Sequence, residues 1–439
     1  MTSILAFVFV LGVLVFVHEL GHFLAARRIG VRVLVFSLGF GPKLLSFKRG
    51  DTEYCVSAIP LGGYVKMAGE NPDDARTGAS DEFLSKSKWE RFQVLIMGPV
   101  MNLALAIVVM ALVLYQGAQV PVFTSQPAFV GSVEPDSVAA LAGIQPGDRI
   151  VNVDGRTIDD WQGLVMAVGT KANREIPVVL VRDGKRISVK LTPAAIDKYE
   201  TGDIGVGPQM RPMVSSLISG GPADAAGMQR GDVILAANGE RGLTSERFIE
   251  IIQGHGSKPL EVLIERDGQS QTMTVTPEPY DDTVRIGATV QSLETQTIEP
   301  GIVEAFRLSV ERNWEWTVLI FDTLRGLFTR DTSVKQLMGP VGIAGLSGDA
   351  AEAGLIPLFT LMALISLNLG IMNLMPIPVL DGGHIAILAV EGLSRRDFSM
   401  RVKEKMLLAG FVLLVTLMVT VIYNDLTRVT WIEPLMPWR

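Results

Sequence analysis

His18-Glu19-Leu20-Gly21-His22 carries the residue types that metal-assisted hydrolysis requires. On a helix, positions i and i+4 share a face, so His18 and His22 can reach one metal ion while Glu19 stands ready as a base. The surroundings are unusual for such a motif. Ile4 to Val17 carry no charge, and Phe23 to Ala26 add none before Arg27 and Arg28. Ionisable groups inside a membrane helix cost about 2.5–3.5 kcal/mol each on insertion scales, so three of them together point to function rather than to a chance match.

A catalytic zinc usually takes three protein ligands and keeps one position open. The third must come from elsewhere in the chain. Candidates lie in Asn373-Leu374-Met375-Pro376-Ile377-Pro378-Val379-Leu380-Asp381-Gly382-Gly383-His384. Asp381 can serve as a ligand or as the N-cap of a helix beginning at Gly382. Charge balance favours ligation, because Zn²⁺ with Glu19 and Asp381 both ionised is formally neutral. His384 can ligate instead, or support a ligand from behind. The Asn373 amide can hold a substrate carbonyl or oxyanion, or tie off backbone broken at Pro376.

The elements that must position these groups are apolar spans. The chain has 439 residues, 48% hydrophobic and 19% charged, which implies a few spans plus a soluble portion. A net charge of −7 gives no sign of a nucleic-acid partner, and the single cysteine, Cys55, excludes an intramolecular disulfide. Spans are expected at about 4–26, 94–118, 353–378 and 406–424. The first is too long for a cleavable signal peptide, and its positive charges follow it. Positive residues after the first span and between the last two (Arg395, Arg396, Arg401, Lys403, Lys405) place those loops in the cytoplasm and both termini outside. His22 then lies about 8 Å and His18 about 14 Å inside Arg27, and Asp381 ends near the same face.

Between the first two spans, the loop 27–92 is expected to hold a membrane-associated β-hairpin. Tyr54 to Pro60 and Gly62-Gly63-Tyr64-Val65-Lys66-Met67 read as its strands around a Pro-Leu-Gly-Gly turn. Such an element can accept an extended peptide by strand addition or merely shield the site.

Residues 119–280 contain a repeat. Ala142-Gly143-Ile144-Gln145-Pro146-Gly147-Asp148-Arg149-Ile150 returns as Ala226-Gly227-Met228-Gln229-Arg230-Gly231-Asp232-Val233-Ile234, an offset of 84. Arg182-Asp183-Gly184 and Thr192-Pro193 recur at the same offset as Arg266-Asp267-Gly268 and Thr276-Pro277. Ungapped agreement of three segments argues for two copies of one small domain, at 119–196 and 200–282. Each resembles a PDZ domain, which binds peptides at a sheet edge or, as a pair, acts as a steric filter. His255 reads as a loop residue of the second copy. Phe306 to Leu327, within 295–350, reads as an amphipathic helix lying on the outer membrane face or on the second copy.

Taken together, the chain resembles the site-2 protease family of intramembrane zinc metalloproteases, in its bacterial form with tandem PDZ domains. The resemblance rests on His18-Glu19-x-x-His22, Gly62 to Met67, Gly98-Pro99-x-x-Asn102, the two PDZ copies, and Asn373-x-x-Pro376-x-Pro378-x-Leu380-Asp381-Gly382-Gly383. It implies a four-span protease core, residues 1–118 and 351–439, in the bacterial inner membrane with both PDZ domains periplasmic. It implies zinc on His18, His22 and Asp381, Glu19 as general base and acid, and Asn373, Gly63, Tyr64, Val65 and Asn102 near substrate. Its substrates would be single-span membrane proteins of the anti-sigma factor type already trimmed outside, or remnant signal peptides. Two other classes remain: an inactive PDZ scaffold, which would need no Glu19, and a metal transporter, which would need ionisable groups in the second and fourth spans.

Overall fold

The fold is taken from a computed structural model, which describes residues 2–70, 78–121, 126–196, 200–208, 210–241, 243–266, 268–280, 283–291, 295–329 and 332–427. The chain divides into two compact units. One comprises residues 1–117, 299–325 and 334–439, and the other residues 118–298 and 326–333.

Four helices of the first unit are long and apolar enough to cross a membrane: α1 (Thr2–Arg28), α2 (Lys88–Tyr115), α9 (Leu355–Leu374) and Arg401–Thr427 of α11 (Met400–Thr427). The uncharged run underestimates α2 at its start. A capping box, in which Ser87 and Glu90 satisfy each other's backbone N–H, nucleates the helix over the charged residues Lys88, Glu90 and Arg91. Ala6, Val10 and Leu14, four apart on α1, pack against Val109, Met110 and Val113 of α2 and Leu358, Met362 and Ala363 of α9. A second cluster joins Phe23, Ala25 and Ala26 of α1 to Val94 of α2 and to Phe36, Val65 and Met67 of the following sheet. His18 and His22 therefore sit between two apolar clusters that fix α1 against α2 on either side.

The sheet differs from the expected hairpin. Strands β1 (Val33–Arg49) and β2 (Thr52–Met67) are long and bent. Val35 to Ser37 pair on one side with residues 53–55 and on the other with residues 64–66. The two segments expected to pair with each other are thus separated by the start of β1. Pro60 cannot donate to a ladder, and between Ile59 and Gly63 the strand passes from one side of the start of β1 to the other. Residues 63–67 become an edge, with no further strand beside them among the described residues.

Residues 302–325 of helix α7 (Ile302–Thr329), with α8 (Pro340–Ala353) and α10 (Asp381–Leu393), complete this unit. One face of α7 packs within this unit, against α2 and α9. Ser309 Oγ donates to Ile107 O of α2 at 2.6 Å, and Trp316 and Ile320 pack with Leu103, Ala106 and Leu367. Ser309, Asn313, Trp316 and Ile320 recur every three or four residues, so one face of α7 serves this contact while Glu304, Arg307 and Glu311 form ion pairs on its exposed surface. At the start of α8, the Asp425 carboxylate of α11 accepts from Gly339 N (3.1 Å) and Gly342 N (2.9 Å).

The second unit opens and closes with β3 (Ala118–Pro121) paired to β20 (Thr295–Ile298). Between them lie two modules. The first runs β4 (Val130–Val133), α3 (Val138–Leu141), β5 (Arg149–Val153), β6 (Arg156–Thr157), α4 (Trp161–Gly169), β7 (Ile176–Arg182), β8 (Lys185–Leu191), β9 (Ala194–Ala195), β10 (Gly202–Asp203) and β11 (Val206–Pro208). The second runs β12 (Met213–Leu217), α5 (Pro222–Ala225), β13 (Val233–Ala237), β14 (Glu240–Arg241), α6 (Ser245–His255), β15 (Leu260–Arg266), β16 (Gln269–Val275), β17 (Glu278–Tyr280), β18 (Thr283–Arg285) and β19 (Ala288–Gln291). The pairings repeat: β5 with β6 and β7 and β7 with β8, then β13 with β14 and β15 and β15 with β16.

Both modules run past their expected ends at 196 and 282. β11 pairs with β4 and Ile204 joins the first core, while β19 pairs with β12 and Ile286 joins the second. These closing strands are short and follow turns, so neither periodicity nor the repeated motif reached them. The repeated Gly-Asp and Arg residues meet in each copy. Asp148, 1% exposed, receives Arg182 Nε and Nη2, both at 2.7 Å, and Gln145 N at 2.8 Å; Arg266 and Gln229 N treat Asp232 the same way. Burial alone would raise the Asp148 carboxyl, and the Arg182 guanidinium more than reverses this, holding it below the ordinary carboxylate range. His255 ends α6 and bonds to Pro259 O.

Candidate metal centre

His18 and His22 lie one turn apart on α1, as their spacing requires, and Asp381 arrives from the first residue of α10. His22 Nε2 lies 3.2 Å from His18 Nε2. Asp381 Oδ2 lies 3.2 Å from His18 Nε2 and 3.5 Å from His22 Nε2. Bonds of about 2.0–2.1 Å in a tetrahedron around zinc set ligand atoms about 3.3–3.4 Å apart, so the triangle has the size of one tetrahedral face. Two imidazole nitrogens and a carboxylate oxygen converging in this way share a cation well and each other poorly.

The backbone of α2 leaves room for that cation. A Cβ at Gly98 would stand 2.3 Å from His22 Nε2 and 2.8 Å from His18 Nε2. Only a residue without a side chain keeps this cradle open. Each ring is held from behind by α2. His22 Nδ1 lies 2.8 Å from Val94 O, which fixes the proton on Nδ1 and leaves Nε2 free to ligate. His18 Nδ1 lies 3.3 Å from the Asn102 amide. Val94, Gly98 and Asn102, spaced by four, form one stripe. The sequence signalled the last two as Gly98-Pro99-x-x-Asn102, whereas a backbone carbonyl such as Val94 O leaves no mark on residue type.

α9 stops at Leu374, and Met375 to Leu380 cross to α10 without helix, as Pro376 and Pro378 dictate. Val379 there has φ 99°, a strained conformation for a β-branched residue. Close packing over-determines it. A Cβ at Gly382 would lie 2.3 Å from Leu374 O, one at Gly383 2.2 Å from Ile377 O, and one at Gly410 of α11 2.1 Å from Pro378 O. Asp381 is not the N-cap. That position is Leu380, without a side-chain cap, so the Asp381 carboxylate is left for the histidines. His384 is half-buried and stands outside the group of three.

Glu19 is half-buried beside the cluster, within electrostatic reach of His18, His22 and Asp381. Gly63, at the start of the edge strand, approaches it so closely that a Cβ would lie 3.0 Å from Glu19 Cγ. Tyr64 stacks on Phe40, and Val65 is buried in the sheet's core. Asn373 is half-buried in the last turn of α9. Asn102 is 1% exposed and faces His18, which closes it to a substrate backbone.

The sequence pattern of peptidase family M50 matches residues 6–417. The chain belongs to peptidase family M50. A protein of Neisseria meningitidis named as a zinc metalloprotease is 34% identical across 98% of this chain and 99% of its own length. The regulator of sigma E protease of Salmonella typhi is 35% identical across 97% and 98% respectively. Among solved structures, the PDZ domain of an SdrC-like protein from Listeria innocua is 25% identical, covers 19% of this chain and 93% of its own, and gives a TM-score of 0.18. The family and the multi-span core make this a zinc-dependent metalloprotease of a membrane.

Proposed function

We propose that the chain cleaves single-span membrane proteins within the bilayer, with His18, His22 and Asp381 as zinc ligands and Glu19 as general base and acid. The observation that carries the reading is the edge strand 63–67, whose first residue, Gly63, stands directly against Glu19. A transmembrane helix hides its carbonyls in its own hydrogen bonds, so a substrate must unwind to be cut. Strand addition along residues 63–67 would give the freed backbone new partners and deliver it to the base.

Zinc, when bound, supplies a Lewis acid that makes water nucleophilic near neutral pH and polarises the scissile carbonyl. Glu19 takes the proton of the attacking water and returns it to the leaving amine. Asn373, in the last turn before the break that carries Asp381, holds a substrate carbonyl. The two modules are PDZ domains on the periplasmic side, and they exclude untrimmed proteins or bind peptide tails. Arg27, Arg28 and the positive residues of 395–405 support placing the metal nearer the cytoplasmic face of the inner membrane. The name of the Salmonella relative supports an anti-sigma factor as substrate, after trimming outside; remnant signal peptides share the same chemistry.

The test is cleavage of a tagged single-span substrate lacking its outer domain, by wild type and Glu19→Gln in detergent, with and without phenanthroline. Glu19→Gln is expected to keep its zinc and lose about 10²–10⁴-fold in rate. Undiminished turnover by that variant would remove Glu19 from the mechanism.

A further inference from the structure

We propose that Asn102 is a positioning residue for the metal centre: it holds the His18 imidazole with Nδ1 protonated and Nε2 directed at the ion. The inference rests on reading His18 as a ligand.

A neutral imidazole has one proton. If Nε2 ligates, Nδ1 carries that proton and needs an acceptor. His22 has one in Val94 O. For His18, the group at Nδ1 is the Asn102 amide, 3.3 Å away. That amide is 1% exposed, and its Oδ1 is buried without a hydrogen-bond partner. An orphaned acceptor on the very amide that faces an imidazole nitrogen is resolved by a half-turn of the amide, after which Nδ1–H donates to Oδ1. The pairing then has the sense that ligation through Nε2 requires.

The residue is fixed independently of the histidine. Ser366 Oγ of α9, itself 0% exposed, donates to Asn102 O at 2.7 Å. Since α9 also leads into the break that carries Asp381, this contact ties the support of His18 to the element delivering the third ligand. The two imidazole supports differ in kind. Val94 O is backbone and survives any substitution at that position, whereas the support of His18 is a side chain. The α2 stripe therefore has one point at which side-chain chemistry sets ligand orientation, and it is Asn102.

The experiment uses the full chain in detergent. Zinc is titrated against a chromophoric chelator for wild type, Asn102→Leu, Asn102→Ala and Asn102→Asp, and melting is followed with and without zinc. Asn102→Leu and Asn102→Ala are expected to lose about 10–100-fold in zinc affinity. Asn102→Asp, nearly isosteric and able to accept from Nδ1–H, is expected to stay within about threefold of wild type. A residue that merely fills space would give a different order, with affinity following melting of the zinc-free protein. The proposal predicts a smaller zinc-induced rise in Tm for Asn102→Leu and a rise close to that of wild type for Asn102→Asp. Should Asn102→Ala or Asn102→Leu fail to fold, Asn102→Ser keeps a hydroxyl acceptor in a smaller side chain and is expected to bind more weakly than Asn102→Asp. Wild-type affinity in Asn102→Leu, or equal weakness in Asn102→Asp and Asn102→Leu, overturns this inference alone. A wild type that binds no zinc overturns the ligand reading beneath it.

Discussion

Asp148 and Asp232 in the inserted unit and Asp381 in the membrane unit are all carboxylates drawn largely out of water, yet they meet different company. Asp148 and Asp232 each receive two guanidinium N–H groups and a backbone N–H, so their charge is neutralised by a permanent partner and nearly every lone pair is used. Asp381 faces two imidazole nitrogens, at 3.2 and 3.5 Å, that are neutral unless protonated. The first arrangement is complete as it stands and holds a module together. On the proposed reading, the second is completed by a cation held between its members. The same residue type thus serves architecture where its counter-charge is covalently part of the chain, and chemistry where that counter-charge must be acquired.

The sharpest way to break this contrast is to fill the place of the acquired charge. Gly98→Ala puts a methyl group 2.3 Å from His22 Nε2, and neither ring can retreat without losing its contact to Val94 O or Asn102. Zinc binding is expected to fall by more than about 100-fold, read by chelator competition, with the modules untouched. The reverse experiment removes the permanent partner. Arg182→Ala leaves Asp148 buried and unpaired, and amide exchange of β5 and β7 is expected to quicken at least about tenfold while zinc content stays at the wild-type level. A smaller effect follows from pH. Because the Asp148 carboxyl is held below its ordinary value, the stability it contributes is fully present above about pH 4 and is lost as the pH falls through its folded value. Wild type should therefore show acid-enhanced exchange in the first module below about pH 4, and Arg182→Ala should show a flatter profile.

The two regions also differ in how far they could be read from residues alone. The inserted unit was legible because it is written twice. An offset of 84 marked Asp148, Arg182 and their counterparts as repeated positions, though not as pairs, and the structure reproduces the offset from β4 and β12 through β8 and β16. The closing strands β11 and β19 escaped because three or four residues after a turn carry no period. In the membrane unit the four spans were legible from charge-free runs and the two histidines from helical spacing. The sheet order was not, because nothing local tells residues 63–67 that β1 lies between them and residues 53–57. The inward packing of α7 was missed for a similar reason: its charged face is conspicuous, and the Ser309, Asn313 and Trp316 face is not. Val94 O and the strained Val379 were invisible, since a carbonyl is common to every residue and a backbone dihedral is set by tertiary packing.

On the proposed reading, three side chains from the two ends of the chain hold one zinc. The most direct measurement is the zinc content of the purified full chain, wild type against Asp381→Ala, by elemental analysis after exhaustive dialysis. One zinc per wild-type chain is expected and little or none in the variant, with the amide exchange of both modules unchanged. Full zinc content in Asp381→Ala would contradict it and would return His384 to the ligand set.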